Sequence, residues 1–355
     1  MGCYNNVHEY LNLLGNIAEM PTKITKNNFV EKSYKKAIHP RSTTDNNSVV
    51  RFLIVTPVLN GISFLDETIR SVIFQEGDFF IEYIIKDNNS TDGSYELVED
   101  WIKRIHKGDI PLYAKGMSIT LYSSKDQGLY DGISIGFEIR PYSDNDILSY
   151  LNADDILLPK ALHTVKTVFF MLPSSSWFIG QPMIIDEHGD VLSTSAFPLS
   201  YNQQDVAAGM HDGRKLGFIQ QEGTFWRASL YKLVGGLDRT LSLAGDYDLW
   251  RRFALHVEPL SFNRSLGAFR KHHGQLSAGL DAYYQEVDDI LVRKPFHSTL
   301  NGVNQSITTL NREFYNTAWK PYPEAHNQKE GAVLYFNDAM DRFEVIYTRR
   351  CWFGY

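Results

Sequence analysis

From Arg51 to about Leu172 the chain alternates short β-rich apolar runs with amphipathic helical segments, and no other feature restricts its fold as strongly. "RFLIVTPV" (51–58) is a continuous apolar run, the pattern of a strand buried on both faces. "SFLDETIRSVIFQ" (63–75) carries apolar residues at 64, 65, 69, 72 and 73, the spacing of one helical face, and predicts a helix from Ser63. "IEYIIKD" then predicts a second strand, and "STDGSYELVEDWIKRI" a second helix with Ser90, Thr91 or Asp92 as its cap. The cycle continues through "SITLYSS", "GLYDGISIGFEI", "DILSYLN" and "PKALHTVKTVFFML", where Pro159 suits a first helical turn.

Such alternation implies βαβ units around a mostly parallel sheet flanked by helices, a Rossmann-like α/β class. In these sheets ligands bind beyond the carboxyl ends of the strands. The loops "TPVLNG", "KDNNSTDG", "SSKDQGLYDG" and "NADD" all follow predicted strands, so they are expected on one edge. They bring Asp87, Asp92, Asp126, Asp131, Asp154 and Asp155 together. Singly, each Asp reads as a turn former or cap, with Asp92 the strongest cap. Collectively, carboxylates sharing a cleft repel unless a divalent cation or protonation relieves them. Mg²⁺ or Mn²⁺ with substrate phosphates is the partner such a cleft suits.

Beyond residue 173 the alternation loosens. "WFIGQPMIID" followed by "HGDVLST" predicts a hairpin turning at 187–190, and "DAYYQEVDDILVRK" a helix. Residues 1–50 read as a polar, irregular N-terminal extension, and 278–355 as a C-terminal extension of helical character. The 35 basic and 42 acidic residues give a net charge of -7, which argues against a nucleic-acid partner. Two cysteines, Cys3 and Cys351, predict reduced thiols without a disulfide framework and a cytoplasmic setting. The most apolar stretch, 168–180, is interrupted by Pro173 and three serines and is too short to span a membrane.

Six blocks resemble, in order and spacing, family 2 glycosyltransferases of GT-A fold: "IVTPVLNGISFLDETIRSVIFQ", "IEYIIKDNNSTDGS", "KDQGLYDGISIGF", "SYLNADDILLP", "GGLDRTLSLAGDYDLWRRFA" and "FRKHHGQLS". The resemblance spans residues 51–277, with 51–172 as the nucleotide-sugar half and 173–277 as the acceptor and catalytic half. It implies an inverting, metal-dependent transfer of one hexosyl-type sugar from a nucleotide-diphosphate donor to an acceptor hydroxyl. The implied acceptor is a glycan or a lipid-linked chain, in polysaccharide or glycoconjugate synthesis, with peripheral association at the inner membrane face. Processive relatives carry a Gln-x-x-Arg-Trp motif and membrane helices, neither of which is present, so single-sugar addition is expected.

Residue by residue, the resemblance places Thr56, Pro57 and Asn60 in the first nucleotide-binding loop and Asp87 at the base. Asn88 stands where a second Asp is usual, and Asp126 is expected at the nucleotide or donor sugar. In the DXD-like "NADD", Asn152 replaces the first Asp and Asp154 is the expected metal ligand. Asp155 stays open between metal ligand, sugar contact and helix cap. Asp246 aligns with the general base, with Gly245 in place of a common Glu. His272 matches a histidine near diphosphate and metal, with Arg270 or Lys271 as phosphate partners. Glu222 and Trp226 fall on the acceptor side, where Trp226 either stacks on a sugar or lies in the core. Two other readings compete: a sugar nucleotidyltransferase, which would need a Gly-rich basic first loop, and a non-catalytic carbohydrate-binding protein, which would need no Asp246.

Overall fold

The computed structural model describes residues 33–42, 49–195, 199–275, 279–296, 331–337 and 342–348. Cys3 and Cys351 lie outside the described residues. The first half runs β1 (Ser33–Ile38), β2 (Arg51–Val58), α1 (Ile62–Ile73), β3 (Gly77–Asp87), α2 (Ser94–Lys107), β4 (Ala114–Ser123), α3 (Leu129–Glu138), β5 (Ile147–Tyr150), β6 (Ile156–Leu157) and α4 (Ala161–Met171). The second half continues with β7 (Trp177–Ile179), β8 (Met183–Ile185), β9 (Val191–Thr194), α5 (Gln203–Ala207), β10 (Thr224–Arg227), α6 (Ala228–Leu233), α7 (Gly245–Ala254), β11 (Leu260–Phe262), β12 (Gly267–Arg270), α8 (Leu280–Arg293), β13 (Gly331–Asn337) and β14 (Arg342–Thr348).

Among the described residues the main sheet has the order β1-β4-β3-β2-β5-β10-β7-β11-β13-β14. β2 pairs in parallel with both β3 and β5, and β3 with β4, so the four strands end on the same edge. Along β2, Phe52 and Ile54 enter one core while Leu53 and Val55 enter the other. The run is therefore apolar throughout because both faces are covered. One core packs α1, α2 and α4 against the sheet, and the opposite one packs α3, α6, α7 and α8. Each fully buried Leu or Ile contributes roughly 1.5–3 kcal/mol to holding these layers together.

Three tertiary features were not legible in the sequence. Residues 33–38 of the supposedly irregular extension form an antiparallel edge strand on β4. The C-terminal extension contains the expected helix α8, and it also adds β13 and β14 to the main sheet. The segment 177–186 is not one strand: β7 joins the main sheet, whereas β8 pairs with β9 across the expected turn in a second sheet. That smaller sheet has the order β6-β12-β8-β9. Its antiparallel β6/β12 pairing (Ile156 opposite Ala268) carries residues 270–272 alongside 154–155, which assembles the site.

Candidate active site

The loops after β2 and β3 brace one another. Asn60 adopts a left-handed backbone (φ 54°), which Asn tolerates better than most residues, and its Oδ1 accepts the Thr91 N–H at 2.8 Å. Asp92 accepts the Ile62 N–H at 2.9 Å and the Ser94 N–H at 3.0 Å, so a single carboxylate serves the first residues of α1 and α2. Burial opposes its charge, but the bonds from Ser94 and Ile62 outweigh it and hold the carboxyl below its usual range. Its capping role is as expected. Asp131 likewise accepts the Gln127 N–H at 2.9 Å at the start of α3.

Several donor-side residues lie deeper than expected. Thr56 is buried, with Oγ1 3.0 Å from the Tyr83 hydroxyl, and so does not present its side chain to the first loop. Pro57 is half-buried beside it, opposite Lys86 in the ladder. Asp87 is 1% exposed; it accepts from the Ser90 N–H at 3.1 Å and the Ser123 hydroxyl at 2.5 Å, so it shapes the loop instead of offering an oxygen to solvent. Asn88 is partly exposed and accepts the Asp126 N–H at 3.0 Å. Asp126, expected to face a ligand, is paired at 2.7 Å with the Lys86 ammonium, itself fully buried and also bonded to the Asp87 and Ser124 carbonyls.

"NADD" divides into an inner and an outer part. Asp155 is 0% exposed. Its carboxylate accepts from Arg270 N at 2.9 Å, Gln221 Nε2 at 3.1 Å and Asn152 Nδ2 at 3.2 Å. Burial, followed by the charges of Asp154 and Glu222, raises its proton affinity well above that of an ordinary carboxyl. Asp155 is thus an internal bracket between β6 and β12, a correction to its reading as a metal ligand. Asn152 is the donor that an Asp at this position could not supply.

Asp154 points outward, its side chain 30% exposed, with Oδ2 at 2.9 Å from His272 Nε2. The imidazole rests on Phe64, with ring centroids 4.6 Å apart, and its Nδ1 lies 2.9 Å from the His273 carbonyl. Both ring nitrogens therefore face acceptors. Arg270 is corrected as a phosphate partner: it is buried, bonds the Asp154 carbonyl at 2.9 Å and pairs with Glu67 at 2.7 Å. Lys271 is exposed.

On the acceptor side, Trp226 is 0% exposed and packs among Phe137, Tyr150, Tyr231 and Trp250. No sugar can stack on it there. Glu222 is 1% exposed, and its Oε1 is buried without a hydrogen-bond partner. Burial, reinforced by the charges of Asp246 and Asp154, pushes its pKa to about 8.

Asp246 sits in the first turn of α7 and is partly exposed. Its Oδ1 accepts the Tyr247 N–H at 2.8 Å and lies 3.1 Å from the Tyr130 hydroxyl. Burial raises its pKa to about 6, against the lowering effect of those two bonds. Tyr130 also explains the missing family Glu, because a Cβ on Gly245 would lie 2.5 Å from its ring. Sequence reading singled out neither Tyr130 nor Glu286, whose carboxylate binds the turn before α7. Tyr130 stands inside one of the quoted loops, whereas nothing marks Glu286 in its helix.

Residues 53–169 match the family model of Glycosyl transferase family 2. Two curated relatives, uncharacterized glycosyltransferases of Rickettsia felis and Rickettsia conorii, are each 21% identical over 243 residues, covering 67% of this chain. The chain spans only 37% of the length of these relatives. Among solved structures, S. aureus TarS 1–349 in complex with UDP-GlcNAc superposes with a TM-score of 0.50 at 14% identity, covering 75% of this chain and 73% of that one. Residues 53–169 thus carry the sequence pattern of glycosyl transferase family 2, from β2 to α4, on an architecture that across the main sheet is a GT-A fold.

Proposed function

We propose that the protein is an inverting, metal-dependent glycosyltransferase that moves one sugar from a nucleotide-diphosphate donor to an acceptor hydroxyl. The observation that carries this reading is Asp246, a partly exposed carboxylate held in the first turn of α7 by the Tyr247 N–H at 2.8 Å, with burial raising its pKa to about 6. Such a group is ionised at neutral pH yet basic enough to take a proton as an oxygen nucleophile forms. A non-catalytic binding module has no use for it. The first loop also lacks the Gly-rich basic cradle of a nucleotidyltransferase.

The residues present suit a divalent ion. A neutral imidazole has one N–H, and His272 faces two acceptors, Asp154 Oδ2 and the His273 carbonyl, each at 2.9 Å. With Nδ1–H given to the carbonyl, the Nε2 lone pair and an Asp154 oxygen are left together, as in a two-ligand cation site. No three His, Cys, Asp or Glu side chains among the described residues converge as a complete ligand set. This suits Mg²⁺ or Mn²⁺, which take one or two carboxylates and complete their shell with water and substrate phosphates. When bound, the ion would offset the charge building on the departing diphosphate.

Asn60, Asn88 and the backbone of the loops after β2 and β3 would hold the nucleotide, with Asp87 and the Lys86–Asp126 pair keeping those loops in shape. The acceptor oxygen attacks the anomeric carbon from the face opposite the diphosphate, the carbon–oxygen bond to the diphosphate breaks, and configuration inverts. Asp246 receives the hydroxyl proton and returns it to solvent. Tyr130 orients the Asp246 carboxylate, and Glu222 stays buried behind the acceptor side. TarS is described in complex with UDP-GlcNAc, so that donor is the first to try.

The test is turnover of UDP-GlcNAc and a panel of other nucleotide sugars with Mn²⁺ by wild type, Asp154→Ala and Asp246→Asn. Asp246→Asn should retain metal-dependent donor binding and lose turnover. Asp154→Ala should lose metal-dependent binding and slow turnover about 100-fold or more. Wild-type turnover should rise with pH through about 6 as Asp246 ionises. Full turnover in both variants would refute the assignment.

A further inference from the structure

Glu286, on α8 and far outside the segment that matches the family model, reaches the turn that delivers Asp246. Its Oε1 accepts the Ser242 N–H at 2.8 Å, and its Oε2 accepts the Leu243 and Ala244 N–H groups at 2.7 and 2.6 Å. Three successive backbone donors converging on one carboxylate form a charge-assisted clamp, stronger than neutral hydrogen bonds. Tyr130 meets the same turn, its single hydroxyl proton shared between the Leu243 carbonyl at 2.9 Å and Asp246 Oδ1 at 3.1 Å. Asp246 follows the turn by two residues, so its carboxylate goes where the clamp puts the start of α7.

The helix that carries Glu286 is itself anchored. Val287 and Ile290 are buried in the core beside α7. Asp288 pairs with Arg214 at 2.6 Å, and Tyr283 packs edge-on against Phe218, with centroids 5.6 Å apart. Glu286 is thus presented from a fixed support and not from a loop.

We propose that Glu286 is a positioning residue for glycosyl transfer: through the 242–244 clamp it fixes the Asp246 carboxylate, and its negative charge makes that carboxylate a stronger base. The second effect follows from like charge disfavouring ionisation of a neighbour. Tyr130 from α3, Tyr150 from the end of β5, Glu222 from the turn before β10, and Tyr283 and Glu286 from α8 are the titratable groups coupled to Asp246 among the described residues. Among the described residues no side-chain cation pairs with Glu286, whose charge is met there by the three amides. The inference rests on Asp246 acting as the base.

Two substitutions in the full chain separate geometry from charge. Glu286→Ala removes all three bonds; amides 242–244 should exchange with deuterium at least about ten-fold faster. Its kcat on the donor turned over by wild type, with Mn²⁺, should fall about ten-fold or more at an unchanged donor KM. Glu286→Gln can keep the two bonds to its Oε2 position without the charge. Amides 243–244 should stay protected, while the acid limb of the kcat profile moves to lower pH. A merely structural residue would lower the unfolding midpoint in both variants and leave the pH limb in place. Unchanged exchange in Glu286→Ala, or an unmoved limb in an active Glu286→Gln, would overturn the assignment while glycosyl transfer stood. A wild-type protein that turns over no nucleotide sugar would instead remove the base that Glu286 is said to position.

Discussion

Tyr130 and Gly245 share one space: the Tyr130 ring lies where a side chain at 245 would begin, within 2.5–2.7 Å of the position of its Cβ. The family's usual Glu before the base is therefore excluded by a tyrosine 115 residues earlier, whose hydroxyl contacts the Asp246 carboxylate at 3.1 Å. The two departures form one arrangement in which a neutral donor stands beside the base in place of a second acid.

Gly245→Ala tests this arrangement. In an open helix the change would stabilise by up to about 1 kcal/mol. Here overpacking against a buried ring should win, with a net loss of about 1–3 kcal/mol. Urea unfolding measures it. Tyr130→Ala should abolish most of the penalty in the double variant, and purely additive effects would disprove the shared-space account.

Asn152→Asp restores the usual family residue. It replaces the Nδ2 donor to buried Asp155 with another acceptor. Without metal the variant should lose about 1–3 kcal/mol of stability by urea unfolding in EDTA. An unaltered midpoint would show that the Asn152–Asp155 contact does not hold the loop.

Lys86→Met fills the same volume and leaves the Asp126 carboxylate without its cation, a loss of about 3–5 kcal/mol. Adding Asp126→Asn should recover much of it, because the uncompensated buried charge is the main cost. Calorimetry of the two single variants and the double variant closes the cycle; no recovery would place the cost elsewhere.

Glu222 gives a pH signature. Burial raises its pKa from 4.5 to about 8, so across that interval the folded state holds a proton that the unfolded chain releases. Its contribution therefore costs no stability below about 4.5, lowers stability progressively from there to about 8, and is constant beyond. Glu222→Gln, in metal-free buffer, should flatten the fall of the unfolding midpoint over that range and be the more stable protein at pH 8. An identical pH dependence in both proteins would exclude Glu222 as the responsible group.

Periodicity alone determined the alternation of β2, α1, β3, α2, β4, α3, β5 and α4, the parallel pairing among those strands, the edge on which their loops gather and helix α8, while residue chemistry marked Asp92 as a cap; the two-residue strand β6 left no such signal. These are local properties: alternation of apolar residues reports which faces are covered, whatever covers them. Tertiary structure decided what depends on partners distant in sequence. Asp154 and Asp155 are chemically identical neighbours, yet Arg270 N and Gln221 draw one inward while His272 meets the other at the surface. Trp226 and Thr56 went to the core because adjacent strands closed over them, and Arg270 turned inward to Glu67. Strands β1, β13 and β14 gain their ladder bonds only where another strand offers an edge, and Glu286 gains its role only because α8 packs beside α7.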